Sequence, residues 1–353
     1  MARVHYVVVW KLHGANKLVA DKSPFDLIRL DNPALIATVT DDPKPYFQHI
    51  DRATAIGAAI FKVFSASDKG RTFAERLADD LETVRSRRAK QTEKGVFLVL
   101  ECETEIQQPD FKNRRETEEF VFCLDAIEKP KIREIFHPQI QAILTAISLS
   151  LPVNADRQIE RIGEAIYLVD TESHKPIYSF SLTAGSLRVS LASPLPEGMV
   201  AAARKRVSRI IGDKTLVRPA DLFITSINQA TDALQAFIAA WSGLEIFVNA
   251  NFKATYESEW FSTIKHGAPV AAAPVFERFR GVMRDKYRLA DKFLIIASVL
   301  DADAAASDAE EFARLKKIRD DLLHALETPE HLPTEAAQKL LLKYLSLHLD
   351  RTA

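Results

Sequence analysis

From Phe223 to Val248 an apolar side chain recurs every three or four residues: Phe223, Ile227, Ala230, Leu234, Phe237, Trp241, Leu244, Val248. That spacing follows the turn of an α-helix, not the two-residue alternation of a strand. At ~1.5 Å per residue it predicts a helix of roughly 45 Å. An apolar stripe of that length must be buried against partner helices or a second copy of itself. Asp221 is the expected N-cap, after Gly212, Asp213 and Pro219 interrupt the preceding pattern. Further helices are expected over 274–287, 289–300, 307–326 and 333–349. Ser307 with Glu310 reads as a capping box for the third of these. The segment 221–353 is therefore expected to be an all-α bundle.

Residues 1–215 have a different texture and read as an α+β domain. Val4–Leu12, Leu35–Val39, Val96–Cys102 and Phe120–Leu124 are short runs rich in β-branched or aromatic residues and predict strands. Ala165–Asp170, Pro176–Leu182 and Leu187–Ala192 predict a β-meander. Helices are expected over 52–64, 72–88, 132–149 and 197–211. No repeat or nucleotide-binding fingerprint gives this domain a function.

A chain of 353 residues with 47% hydrophobic and 27% charged content can bury a core without covalent staples. Cys102 and Cys123, the two cysteines, show no metal-ligand spacing and read as reduced thiols of an intracellular protein. No signal peptide is read at the N-terminus, and no run reaches the ~18 uninterrupted apolar residues of a membrane helix. The expectation is a cytoplasmic protein without membrane span, metal or cofactor. A net charge of −1 leaves nucleic-acid binding to local clusters.

The segment that can carry chemistry is Phe312–His324. Plotted at ~100° per residue, Leu315, Ile318, Leu322, Ala325 and Leu326 form the core stripe. His324 falls opposite them, beside Asp320 and Lys317, so a satisfied core histidine is the wrong reading. A solvated histidine, or one in a structural interface, is the common meaning of such spacing. Arg319 and His324 point ~140° apart on one helix, so a shared site needs Arg319 to reach round or a second surface to complete the cleft. Asp320, one turn before His324, could orient the imidazole. Glu245, at the edge of the long apolar stripe, needs a partner, and Arg319 is one candidate.

Arg319-x4-His324, with the polar Asp320 directly after the arginine, resembles the R-x4-6-H motif of the HEPN superfamily. The helical order fits too: a long helix with Trp241-Ser242-Gly243-Leu244-Glu245, two intermediate helices, a linker, then the motif helix. The resemblance covers about residues 222–350 and looks closest to HEPN domains of prokaryotic abortive-infection and antiphage proteins. It implies a metal-independent endoribonuclease acting as a homodimer through the C-terminal bundle. His324 and Arg319, with Asp320, would be catalytic, Glu245 supporting, and the products 2′,3′-cyclic phosphates. The N-terminal domain would then recognise a trigger, target or inhibitor. A non-catalytic HEPN scaffold is the alternative.

Arg85–Lys90, Lys112–Arg115 and Arg204–Arg206 are basic runs that could meet RNA phosphates, though each more often is a solvated face. Asp301–Asp308 lacks the Gly and terminal Glu of an EF-hand loop and reads as a linker. Tyr256, Trp260 and His266 could stack a base, with packing the commoner use.

Overall fold

The computed structural model describes residues 1–18, 23–64, 71–107, 109, 114–116, 121–123, 127–151, 157–172, 176–182, 193–195, 197–228, 232–267, 269, 272–283, 286–324 and 331–351. The chain divides into two compact units, 1–143 with 150–204 and 144–149 with 205–353. The first is built on an antiparallel sheet; the second is mostly helical.

In the first unit, β1 (Ala2–Leu12) runs inside the sheet, buried on both faces as its run of valines and aromatics requires. Two further strand pairs lie outside the main sheet: β2 (Ala15–Leu18) pairs in parallel with β10 (Ser193–Leu195), and β6 (Arg114–Glu116) pairs with β7 (Val121–Cys123). The main sheet also contains β3 (Phe25–Asp31), β4 (Ala34–Thr40), β5 (Val96–Ile106), β8 (Ile159–Asp170) and β9 (Pro176–Leu182). Its order is β3-β4-β5-β1-β8-β9, with antiparallel neighbours throughout. β8 and β9 supply two runs of the expected meander; Leu187–Ala192 lies outside the described residues. β2, β3, β6 and β10 have no counterpart in the sequence reading. β3 is an edge strand whose exposed Asp26, Arg29 and Asp31 interrupt any apolar run.

One face of this sheet places Val7, Val9, Phe97, Val99 and Ala165 against Phe47 and Ile50. Those last two belong to a 3₁₀ turn (Lys44–Phe47) and to α1 (Gln48–Phe64), which is followed by α2 (Phe73–Gln91). A true capping box starts α2: Glu75 N–H donates to the Thr72 hydroxyl, and the Glu75 carboxylate accepts from Thr72 N–H. The other face meets α3 (Lys129–Ser150), where Phe136 lies 6.0 Å from Tyr6. Glu164 on that face is wholly buried and paired with Arg133 and Arg161. α4 (Glu197–Gly212) closes the mixed part of the chain, and its Arg204 donates to the Leu27 and Asp26 carbonyls of β3.

The second unit corrects the single long helix. The apolar stripe is carried by two helices, α5 (Lys214–Asn228) and α6 (Ala233–Asn251). Asp221 sits inside α5; Asp232 is the N-cap, its carboxylate accepting from Gln235 N–H at 3.0 Å. Asp213 serves the start of α5 by accepting from Thr215 N–H at 2.8 Å. Gly243 is required where α6 approaches its neighbours: a Cβ there would lie 2.8 Å from Leu341 and 3.3 Å from Leu222.

α6 passes through a π turn (Phe252–Tyr256) into α7 (Glu257–Gly267). By length and composition the run 233–267 is apolar enough to cross a bilayer, but half of its most apolar window is buried within the fold. α8 (Ala273–Met283), α9 (Leu289–Leu300), α10 (Ala305–His324) and α11 (Thr334–Arg351) complete the unit. Its aromatic core stacks Phe293 of α9 on Phe312 of α10 at 4.2 Å, with Trp241 and Tyr344 against them. Ser307 is not an N-cap, because α10 already starts at Ala305 and the Ser307 hydroxyl donates back to Ala304 O. Asp301 and Asp308 hold Lys343 of α11, and Tyr344 O–H donates to Asp308 at 2.7 Å, so the acidic run, whose second half is the start of α10 and not a linker, braces the bundle.

Candidate functional site on α6 and α10

α10 has twenty residues and α9 twelve. They are joined by a short turn, so α10 outruns its hairpin partner by about 12 Å at its C-terminal end. The Arg319–His324 segment occupies that overhang. α10 is anchored lower down by buried Phe312 and Leu315, while Ile318 and Leu322 are only half-buried.

Arg319 turns toward α6. Its Nη2 donates to Glu245 Oε2 at 3.2 Å, and its guanidinium carbon lies 5.4 Å from the centre of the Trp241 ring. Its Nη1 pairs with Asp320 Oδ1 at 2.9 Å. Arg319 Nε is buried without a hydrogen-bond partner, and 20% of the side chain remains exposed. The pairing of Glu245 with Arg319 is therefore present, and Trp241 strengthens it: Trp241 Nε1–H donates to the same Glu245 Oε2 at 3.0 Å. Glu245 and Trp241 are one helical turn apart on α6, which makes this contact available.

Asp320 is engaged with cations. Lys316, one turn earlier, donates to its Oδ2 at 2.6 Å. Lys316 first and Arg319 next hold the Asp320 carboxyl below the usual carboxylate range; His324 adds a smaller push the same way. His324 itself is exposed in the last turn of α10, and among the described residues nothing is hydrogen-bonded to its imidazole. Arg319, Asp320 and Glu245 are thus brought together, while His324 stands beyond them. Ala325 and Leu326, the end of the expected stripe, lie outside the described residues. Sequence reasoning missed the parts played by Trp241 and Lys316. The one-turn spacings Trp241/Glu245 and Lys316/Asp320 were the available signal.

The basic runs are of two kinds: Arg85, Arg87, Lys90 and Lys205 are exposed, whereas Arg88, Arg204 and Arg206 are structural. Arg88 is buried and paired with Asp51, while Arg206 donates to Leu149 O and chelates Asp350. Only part of Lys112–Arg115 lies within the described residues, with Arg114 and Arg115 in β6. Tyr256 is buried, its hydroxyl 2.6 Å from His348 Nδ1, whereas exposed His266 bonds to Ser262 O; they form no shared stacking surface. Among the described residues no three His, Cys, Asp or Glu side chains gather as a metal-binding group. No family model, curated protein or solved structure matches this chain.

Proposed function

We propose that this chain is a metal-independent endoribonuclease of the HEPN type. The observation that carries the reading is the end of α10: an exposed imidazole at His324, hydrogen-bonded to nothing among the described residues, five residues beyond an arginine fixed in a polar cluster. RNA brings its own nucleophile. His324 would take the 2′-hydroxyl proton as the oxygen attacks phosphorus. The P–O5′ bond breaks, the leaving oxygen takes a proton, and a 2′,3′-cyclic phosphate and a 5′-hydroxyl remain. Arg319 would hold a phosphate oxygen in forked geometry and offset the charge of the phosphorane.

Arg319 and His324 project ~140° apart, so one active cleft would be lined by the motifs of two copies of the second unit, each giving both residues across a two-fold axis. The first unit would receive a trigger or inhibitor, in a cytoplasmic protein of antiphage defence. The test uses an RNA oligonucleotide and the same sequence with 2′-deoxy sugars. Cleavage of the first alone supports the reading; equal cleavage of both, or of neither by a dimeric protein activated in cell extract, removes it.

A second reading has its own observation. Arg319 is four-fifths buried and already paired with two carboxylates, as an arginine joining α6 to α10 in a non-catalytic RNA-binding or dimerisation scaffold would be. A scaffold retains its cellular effect in His324→Ala; a ribonuclease loses it while remaining folded.

A further inference from the structure

The cluster around Arg319 is neutral in itself. Two carboxylates, Glu245 and Asp320, face two cations, Arg319 and Lys316. A guanidinium bracketed in this way is a poor phosphate ligand, because an incoming anion must displace a carboxylate already in place. The bracket is nevertheless built for release. Each acid has a second donor that does not involve Arg319: the Trp241 indole for Glu245 at 3.0 Å, and the Lys316 ammonium for Asp320 at 2.6 Å. Turning Arg319 away would leave neither acid without a partner, which removes the main cost of breaking a partly buried ion pair. Arg319 Nε is unpartnered, so that swing would give this N–H the chance of an acceptor. The swing would also carry the guanidinium out of the α6 side of α10, toward the surface on which His324 stands.

We propose that Arg319 is parked: the Glu245–Trp241 and Asp320–Lys316 pairs form a latch that withholds it from phosphate until an anion, or a change at this surface, draws it out. The proposal rests on the reading of Arg319 as a phosphate-binding residue, and it deepens that reading by naming how the site is kept quiet. Trp241 is the positioning residue of the latch, since it supports Arg319 by its ring face and Glu245 by its N–H.

The experiment measures binding of a fluorescein-labelled 2′-O-methyl RNA oligonucleotide, which lacks a free 2′-hydroxyl, to the full chain. Glu245→Gln keeps an oxygen for the Trp241 N–H but removes the charge that holds Arg319. It is expected to bind up to about fivefold more tightly than wild type, the scale of a partly exposed ion pair. The gain should vanish in Glu245→Gln/Arg319→Ala. Asp320→Asn leaves α6 untouched and carries the same expectation with a smaller gain, so the proposal stays testable if Glu245→Gln does not fold. Binding weakened to the level of Arg319→Ala would overturn the latch and make Glu245 a fixed support. A gain that persists without Arg319 would overturn it too, since lost negative charge alone would explain it. Because this probe is not cleaved, an Arg319-dependent gain alongside uncut natural RNA would retain the latch and reject the ribonuclease.

Discussion

Each unit of the molecule sets an arginine over an aromatic ring and against a carboxylate, and the two arrangements differ in what is left over. In the first unit Arg88 of α2 lies 4.0 Å from the Phe47 ring centre. Its Nε donates to Asp51, and its Nη1 donates to Gln91 and to Ile162 O. Only 5% of it is exposed, and burial pushes the Asp51 carboxyl up despite the neighbouring guanidinium. In the second unit Arg319 has the same kinds of partner, but one N–H is unspoken for, a fifth of the side chain meets solvent, and its carboxylates hold alternative donors. The first is committed to holding α1, α2 and β8 together. The second, on our proposal, would leave its place at small cost, and that difference would separate an arginine of the framework from one that meets phosphate.

The largest effect expected from this contrast is on stability. Arg88→Ala leaves Asp51 buried without its cation and should cost about 3–5 kcal/mol of the first unit's stability. Urea unfolding followed by Trp10, with Trp241 and Trp260 replaced by Phe, reads that unit alone. A cost below about 1 kcal/mol would mean that Arg88 is no more committed than Arg319. Arg319→Ala, read in the second unit by Trp241 and Trp260, should cost about 1 kcal/mol or less, because Glu245 and Asp320 keep Trp241 and Lys316. A loss as large as that of Arg88→Ala would erase the distinction and favour the scaffold.

A pH dependence sharpens the comparison further. His348 of α11 is buried, and this holds its imidazole below the ordinary value of 6.5. The unfolded chain therefore takes up the proton first, and the second unit's stability is full above pH ~6.5 and falls as pH drops through the folded value. Asp301, Glu311, Asp320 and Glu335 of this unit are held low by hydrogen bonds from Lys343, Arg314, Lys316 and Lys339 and do not titrate in that window. In the first unit, lowered His5 and His49 push the same way while raised Asp51 and Glu101 oppose them. Urea midpoints at about pH 7.5 and about pH 5.5 should thus fall more cleanly for the second unit, and His348→Gln should flatten that fall. An unchanged slope in the variant would assign the dependence elsewhere. The smallest effect is expected at Ser307, where Ala should change stability by less than about 0.5 kcal/mol; a loss near 1 kcal/mol would restore it as an N-cap.

The same contrast explains what could be read from the chain beforehand. α9 and α11 were legible nearly to the residue because their apolar spacing is strong and local. The break between α5 and α6 was not, since the stripe from Phe223 to Val248 keeps its helical phase across it, and Asp232 as N-cap is evident only once the break is known. Edge strand β3 went unread because exposed Asp26, Arg29 and Asp31 leave it no unbroken apolar run. Arg88 looked like part of a solvated basic face because burial is set by α1 and β8, dozens of residues away. At the candidate site, Arg319, Asp320, His324 and Glu245 were found by spacing and resemblance. Their division into a closed cluster and an open imidazole came from the packing of α6 against α10.

The measurement that tests the central claim most directly compares wild type, His324→Ala and Arg319→Ala on total cellular RNA in EDTA, with the chemistry of the new ends determined. The account predicts cleavage by wild type that leaves 2′,3′-cyclic phosphates. It predicts a rate lower by about 10²–10⁴ for His324→Ala, the scale of a lost general acid–base group. Equal cleavage by wild type and His324→Ala, or new ends carrying 5′-phosphate, would contradict it.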